Sequence, residues 1–446
     1  MRTTPSGPVV HRTPPSVLLL CLACLVFEAY DVTAFGATVP FLLDDSGWGL
    51  TVAQAGVLGS LTPVGMLVGA VSAGLLTDRW GRRRLILASL ALFSAAMILC
   101  GFAPGVAVFG IARFVVGIGV GGILPSVAAL VYEYSAQGRR NVNSAIAHSG
   151  LGLGTALAAL TAAVLAPSLG FRVVYLVGGA AGLVVLPLAV RMLPESLVLL
   201  RSRGRTAEAQ RWVQRLGLDP ELATAPVTEP ETAARGRFAL LFSARYRTLT
   251  LLFSVATFLS LLVLFGIYTW LPQLMRSAGY EVGSALTFLV VLGIGTAVGP
   301  LVIGRVADRI GSRPTIVASF LLAVVGISLL SQPLPGWLLY GAVVLAGVGT
   351  VGTQILLNMF IASRYPVHVR ATAIGFALSA GRIGAILGPV FGSLLLTAQL
   401  PTTALFLAFA APAVLGAIVI STVPHAAVDP VPDTAVAPPA AHPVDN

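Results

Sequence analysis

The sequence predicts an all-α polytopic membrane protein, with twelve transmembrane helices arranged as two six-helix repeats. Three observations carry this. The 446 residues are 57% hydrophobic and only 10% charged, against roughly 25% charged for soluble domains. The apolar residues fall into twelve stretches able to cross a hydrocarbon core, which takes about 20 helical residues. A polar run from Gly74 to Arg84, GLLTDRWGRRR, also returns 230 residues later as GRVADRIGSRP, Gly304 to Pro314. Such a duplication marks a membrane protein whose halves move against each other.

Divided at charged or Pro/Gly turns, the spans follow in order. Span 1, 17–43, follows a basic start, but Glu28 and Asp31 interrupt it, no small-residue cleavage site follows, and it runs on to Leu43. It is therefore read as a span and not as a cleaved signal peptide. Spans 2 and 3, 52–77 and 85–103, flank the first copy of the repeated run. Span 4, 106–134, is glycine-rich at Gly117, Gly119 and Gly122, and span 5, 142–166, carries the small residues of AIAHSGLGLG. Span 6, 171–193, closes the N-terminal half, 1–193. The linker, 194–247, contains RSRGRTAEAQRWVQRLG, which reads as an amphipathic helix on the membrane surface. Span 7, 248–274, opens the C-terminal half, 248–424, and is aromatic-rich, with Phe253, Phe258, Phe265, Tyr268 and Trp270. Spans 8 to 12 are placed at 282–306, 315–331, 336–362, 371–396 and 402–423. From Gly65 to Arg84 against Gly295 to Pro314, eight of twenty positions are identical, and Gly347, Gly349 and Gly352 match the span 4 glycines at the same offset. Spans 2 and 4 thus correspond to spans 8 and 10 in parallel topology. The tail, 425–446, is Ala, Pro and Val with few charges and is expected to be disordered.

The net charge of +10 rests on 27 arginines without a lysine. All but four fall in the tail and loops on the N-terminal side; Arg172 and Arg276 lie on the other side, and Arg113 and Arg382 lie inside spans. This bias predicts cytoplasmic termini and explains the arginine clusters as topology signals, so no nucleic-acid partner is expected. Cys21, Cys24 and Cys100 sit in apolar stretches without pairing or metal-ligand spacing, which predicts neither disulfide nor metal. No nucleophile–base or His/Cys constellation suggests an enzyme. High Ala, Gly, Val and Arg without Lys points to a bacterium with a GC-rich genome, hence to its plasma membrane.

Three motifs resemble those of the major facilitator superfamily: GLLTDRWGRRR between spans 2 and 3, RFVVGIGVGG from Arg113 to Gly122, and the Pro-Glu-Ser ending of span 6 in LPESLVLLRSRGR. Within it the chain most resembles the aromatic acid:proton symporters. FEAYDVTAFGATVPFLL in span 1, Gln354 and Asn358 before RYPVHVRAT, and GRIGAILGPVFG in span 11 carry that likeness. Where that family shows Asp-Gly-x-Asp, this chain has Glu28, Ala29, Tyr30 and Asp31, which implies a different cavity or substrate. The resemblance implies a monomeric importer of a small organic, aromatic carboxylate, with protons as the coupling ion and no other cofactor. The alternative is a drug:proton antiporter, but the Gly-Pro pattern those proteins carry in span 5 stands here in span 11, at Gly384, Gly388, Pro389 and Gly392.

Glu28 lies roughly 16 Å into span 1, near the bilayer midplane. A carboxylate there costs about 2.5–3.5 kcal/mol unless it meets water, a partner or a proton. Asp31 shares its helical face, so the two are expected to form one coupled proton-binding dyad, balanced by Arg113 and Arg382 across a single electroneutral cavity. Arg382 is the expected ligand of the substrate carboxylate; for Arg113 a structural role and a proton-relay role are equally open. Gln354 and Asn358 share a face of span 10 and either bind substrate or bond neighbouring helices, and Tyr30 is a candidate stacking partner. His148 reads as a packing or gate residue more readily than as a proton relay. In the repeated runs, Gly74 and Gly304 are expected to permit close helix approach, and Gly81 and Gly311 a tight turn. Asp78 and Asp308 are expected to accept from facing helix N-termini, and Arg79, Arg83, Arg309 and Arg313 to pair with acids such as Glu133, holding the cytoplasmic side shut.

Overall fold

The computed structural model describes residues 13–44, 47–136, 139–224 and 234–424; the expected disordered tail lies outside them. Twelve helices long and apolar enough to cross a membrane are present, and no strand occurs among the described residues. The N-terminal half contains α1 (Pro15–Asp44), α2 (Val52–Trp80), α3 (Arg82–Gly101), α4 (Val106–Tyr134), α5 (Arg140–Leu169) and α6 (Arg172–Met192). The linker forms α7 (Leu197–Ser202), α8 (Thr206–Leu216) and α9 (Ala234–Leu241). The C-terminal half contains α10 (Arg247–Ser277), α11 (Val282–Ile310), α12 (Ser312–Leu329), α13 (Gly336–Arg364), α14 (Val367–Thr397) and α15 (Thr402–Ser421).

The duplicated glycines mark the same helix crossing in each half. A Cβ on Gly117 of α4 would overlap the Thr62 carbonyl of α2, while one on Gly65 would overlap Phe114 of α4. In the second half, a Cβ on Gly347 would lie 2.8 Å from the Leu292 carbonyl. Between apolar helices in lipid, association depends on such close backbone packing, because burying more hydrocarbon offers no advantage there. The repeated polar run is not a loop. In each half the two helices are joined by one residue, Gly81 or Gly311, at φ +92°. Only glycine takes that conformation without strain, so the expected turn is reduced to its minimum.

The halves meet along three seams. Gly36 of α1 lies against the Tyr268 carbonyl of α10, with no room for a Cβ. In the second seam, Ser60 of α2 donates to the Ile386 carbonyl of α14 at 2.5 Å, and a Cβ on Gly59 would lie 2.9 Å from Pro389. Gly152 of α5 and Gly293 of α11 face each other in the third, where a Cβ on Gly293 would lie 2.8 Å from the Gly152 carbonyl. At the end away from the repeated runs, Arg276 pairs with Asp44 at 3.0 Å and donates to the Pro40 carbonyl at 3.4 Å.

The amphipathic linker helix is present as α8, but its apolar face is covered by protein and not by lipid. Ala209, Trp212 and Val213 are buried, and the Arg83 guanidinium lies 5.7 Å from the Trp212 ring. On the other side of the linker, Phe238 of α9 and Phe242 just after it pack against Phe376 of α14 at 5.9 and 5.3 Å.

These contacts predict opposite fates for two glycines. Gly117→Ala will lower the detergent melting temperature by about 2–6 °C, because α2 must move away from α4. Gly74→Ala, where nothing lies within 4 Å, will leave it unchanged or slightly higher.

Candidate functional site

Between the halves lies a cavity of about 210 Å³. Its walls are largely apolar, with Val32, Leu151, Leu261, Leu264 and Phe265, and its polar groups are few. Glu28 comes from α1 and Arg382 from α14, so one charge is supplied by each half. Gln354 and Asn358 from α13, His148 from α5 and Tyr268 from α10 complete the polar lining.

The expected dyad is divided. Glu28 faces the cavity, while Asp31 turns toward α4 and forms a buried ion pair with Arg113. Residues three apart on a helix point about 60° from one another, enough for one to face a cavity and the next a neighbouring helix. Arg113 is 1% exposed and Asp31 fully buried, and the guanidinium also lies 4.9 Å from the Phe35 ring. Neither residue of this pair lines the cavity. The single four-charge cavity is thus corrected to two separate pairs of charges: one packed inside the N-terminal half, the other, Glu28 and Arg382, spanning the two halves.

Arg382 donates to the Met66 sulfur of α2 at 3.7 Å, and Glu28 Oε2 is buried without a protein partner. Gln354 Nε2 and Oε1 and Asn358 Oδ1 are likewise buried and unpartnered. Residues that glued helices together would be hydrogen-bonded to them, so these amides belong to the cavity. Tyr30 is corrected: its hydroxyl donates to the Val174 carbonyl of α6 at 2.8 Å, and its ring packs against Gly178, away from the cavity. Of the aromatic residues in α10, Phe265 and Tyr268 reach the cavity, with Tyr268 hydrogen-bonded to Thr296 at 2.6 Å, while Trp270 donates to the Pro389 carbonyl at 2.8 Å. His148 was undervalued in the sequence because it stands near a helix end among small residues, yet it lines the cavity.

The repeated runs hold each half together, not one half against the other. Arg82, not Arg83, pairs with Glu133, which also accepts from Ser196 at 2.9 Å. Arg83 clamps the end of α6, donating from Nε to the Leu193 carbonyl at 2.8 Å, and Glu195 accepts from the Arg83 and Ser196 amides at 3.1 and 3.0 Å. Arg313 repeats the clamp on the Ile420 carbonyl at 3.3 Å. Arg79, Asp308 and Arg309 are exposed, and nothing lies within 4 Å of a Cβ on Gly74 or Gly304. The side chain of Asp78 lies outside the described residues. Among the described residues, polar contacts that join the halves, Ser60–Ile386, Arg382–Met66 and Arg276–Asp44, lie at the level of the cavity or beyond it, and not at the face where closure was expected. Arg82, Glu195 and Ser196 were missed; the Pro-Glu-Ser ending of span 6 was the signal for the last two.

The Major Facilitator Superfamily profile matches residues 21–299 and 289–442. The benzoate transport protein of Acinetobacter baylyi is 31% identical over 413 residues, covering 91% of this chain and 88% of that protein. The gentisate transporter of Corynebacterium glutamicum is 34% identical over 401 residues, covering 89% and 84%, and the gallate transporter of Pseudomonas putida is 34% identical over 413 residues, covering 92% of each. Among solved structures, the xylose transporter XylE from E. coli in a partially occluded inward open conformation aligns with a TM-score of 0.73 at 16% identity, covering 93% of this chain and 100% of that one. This last likeness is one of fold.

Breaking the buried pair on one side leaves an uncompensated charge. Asp31→Asn or Arg113→Met alone will therefore cost about 3–5 kcal/mol of stability, and the double variant will recover most of it, read by unfolding in detergent. Glu28→Gln, at a carboxylate oxygen with no hydrogen-bonded protein partner, will cost less than either single variant in the same assay.

Proposed function

The chain belongs to the Major Facilitator Superfamily, as a transporter and not an enzyme, and on that premise we propose that it imports aromatic carboxylates together with protons. One observation carries the reading: a largely apolar cavity between the two halves holds one carboxylate, Glu28, from the first half and one guanidinium, Arg382, from the second. Apolar walls suit a ring, and a planar guanidinium fork suits its carboxylate. The relatives named for benzoate, gentisate and gallate support that substrate class.

Coupling follows from sharing. With the cavity empty, Arg382 balances Glu28. A substrate carboxylate that takes the guanidinium leaves Glu28 uncompensated in an apolar cavity, and a proton neutralises it more cheaply than burial of the bare charge. Anion and proton are then loaded together with little net charge, the halves rock, and release on the other side restores the Glu28–Arg382 pairing for the return. The arginine bias supports a cytoplasmic position for the repeated runs and both termini, in a plasma membrane. The seams closed at the far end then correspond to the inward-facing state. One chain supplies the whole cavity, so a monomer suffices.

Uptake of labelled aromatic acids into proteoliposomes, with and without a pH gradient and with sugars as the control, tests this reading. Glu28→Gln will abolish gradient-driven accumulation while substrate exchange persists. Arg382→Lys will raise the KM at least about tenfold, since a point charge replaces the planar fork. Gradient-driven accumulation by Glu28→Gln at the wild-type level would remove Glu28 from the coupling step.

A further inference from the structure

Three polar residues of the cavity stand apart from the charged pair. At about 1.5 Å per residue, Glu28 and Arg382 lie about 20–22 Å from the loop-face ends of α1 and α14, whereas Gln354, His148 and Asn358 lie about 15, 12 and 9 Å from the corresponding ends of α13 and α5. Counted along their helices, the two groups are thus offset by about 5–13 Å, a span that includes the length of a small substituted ring. Apolar Leu151, Leu261 and Leu264 share the lining with them.

The second group is rich in acceptors. His148 Nδ1 lies 2.8 Å from the Ser144 carbonyl, an atom that can only accept, so Nδ1 is the donor of that contact and Nε2 is the ring nitrogen left for a ligand. Asn358 Oδ1 and Gln354 Oε1 are buried without a protein partner. A ring lying over them would strip their water, and one without a donor would leave them unpaired. Resting on the aromatic-acid reading, we infer that His148 and Asn358 form a hydroxyl-reading subsite, and that the transporter selects aromatic carboxylates bearing a hydroxyl meta or para to the carboxylate. Arg382 fixes one end of the ring. The hydroxyl donates to the acceptors at the other.

Competition for uptake in proteoliposomes of the full chain tests this with five probes: benzoate, 2-, 3- and 4-hydroxybenzoate, and 4-methoxybenzoate. At least one of 3- and 4-hydroxybenzoate will compete about tenfold or more better than benzoate, because a site built to bond a hydroxyl rejects the analogue lacking it. The 2-hydroxy acid, whose hydroxyl stays beside the carboxylate, and the methoxy acid, which keeps the bulk but loses the donor, will rank with benzoate. His148→Phe and Asn358→Leu will each shrink the preference severalfold by weakening the hydroxylated acid relative to benzoate. Equal competition by all five probes in the wild-type protein overturns the subsite while the aromatic-acid reading stands. A methoxy acid as good as the hydroxy acid, or an unchanged preference in both variants, likewise overturns it. Failure of every probe to be taken up or to compete overturns the parent reading and the subsite together.

Discussion

The neutralisation of charge inside the membrane is the constraint on which the rest of this structure depends. Four charged side chains stand within the spans, and a bare ion there is strongly disfavoured. The chain meets the constraint in two ways. Asp31 and Arg113 neutralise each other permanently, packed between α1 and α4 beneath the Phe35 ring. Glu28 and Arg382 belong to different halves, and their balance depends on how the halves stand and on what lies between them. The first pair is part of the scaffold. The second is the only one of the two placed to change with the transport cycle.

This division also explains why so few polar groups suffice. An apolar cavity concentrates the effect of each charge, because the surrounding side chains screen poorly. On the proposed reading, a substrate anion competes with Glu28 for Arg382. The clamps built on Arg83 and Arg313 tie neighbouring helices together within each half.

Much of the fold was legible because the bilayer imposes length and polarity on each span. The twelve observed helices lie within a few residues of their expected places, and the duplication of Gly65, Gly81 and Gly117 as Gly295, Gly311 and Gly347 reflects repeated backbone crossings and turns. The site was only partly legible. Spacing put Glu28 and Asp31 on one face, but a separation of about 60° was enough for α4 to claim one of them. Which of three successive arginines reaches Glu133 depends on the phase of α3 after Gly81, and that phase is set by a turn of one residue. His148 was hidden because composition cannot distinguish a helix face that packs from one that borders a cavity. Gln354 and Asn358 share one helix face by spacing, and the structure puts both on the cavity lining with buried atoms that have no protein partner.

The duplication is broken at one informative position. Arg382 corresponds in the repeat to Gly152, and the two residues sit on equivalent seams: Gly152 against Gly293 where α5 meets α11, Arg382 beside Met66 where α14 meets α2. On one side two backbones touch; on the other, a long cation stands in the seam one helical turn from the Ser60–Ile386 contact. Two halves of common ancestry therefore do not meet through equivalent surfaces: bare backbone closes one seam where a guanidinium borders the cavity on the other.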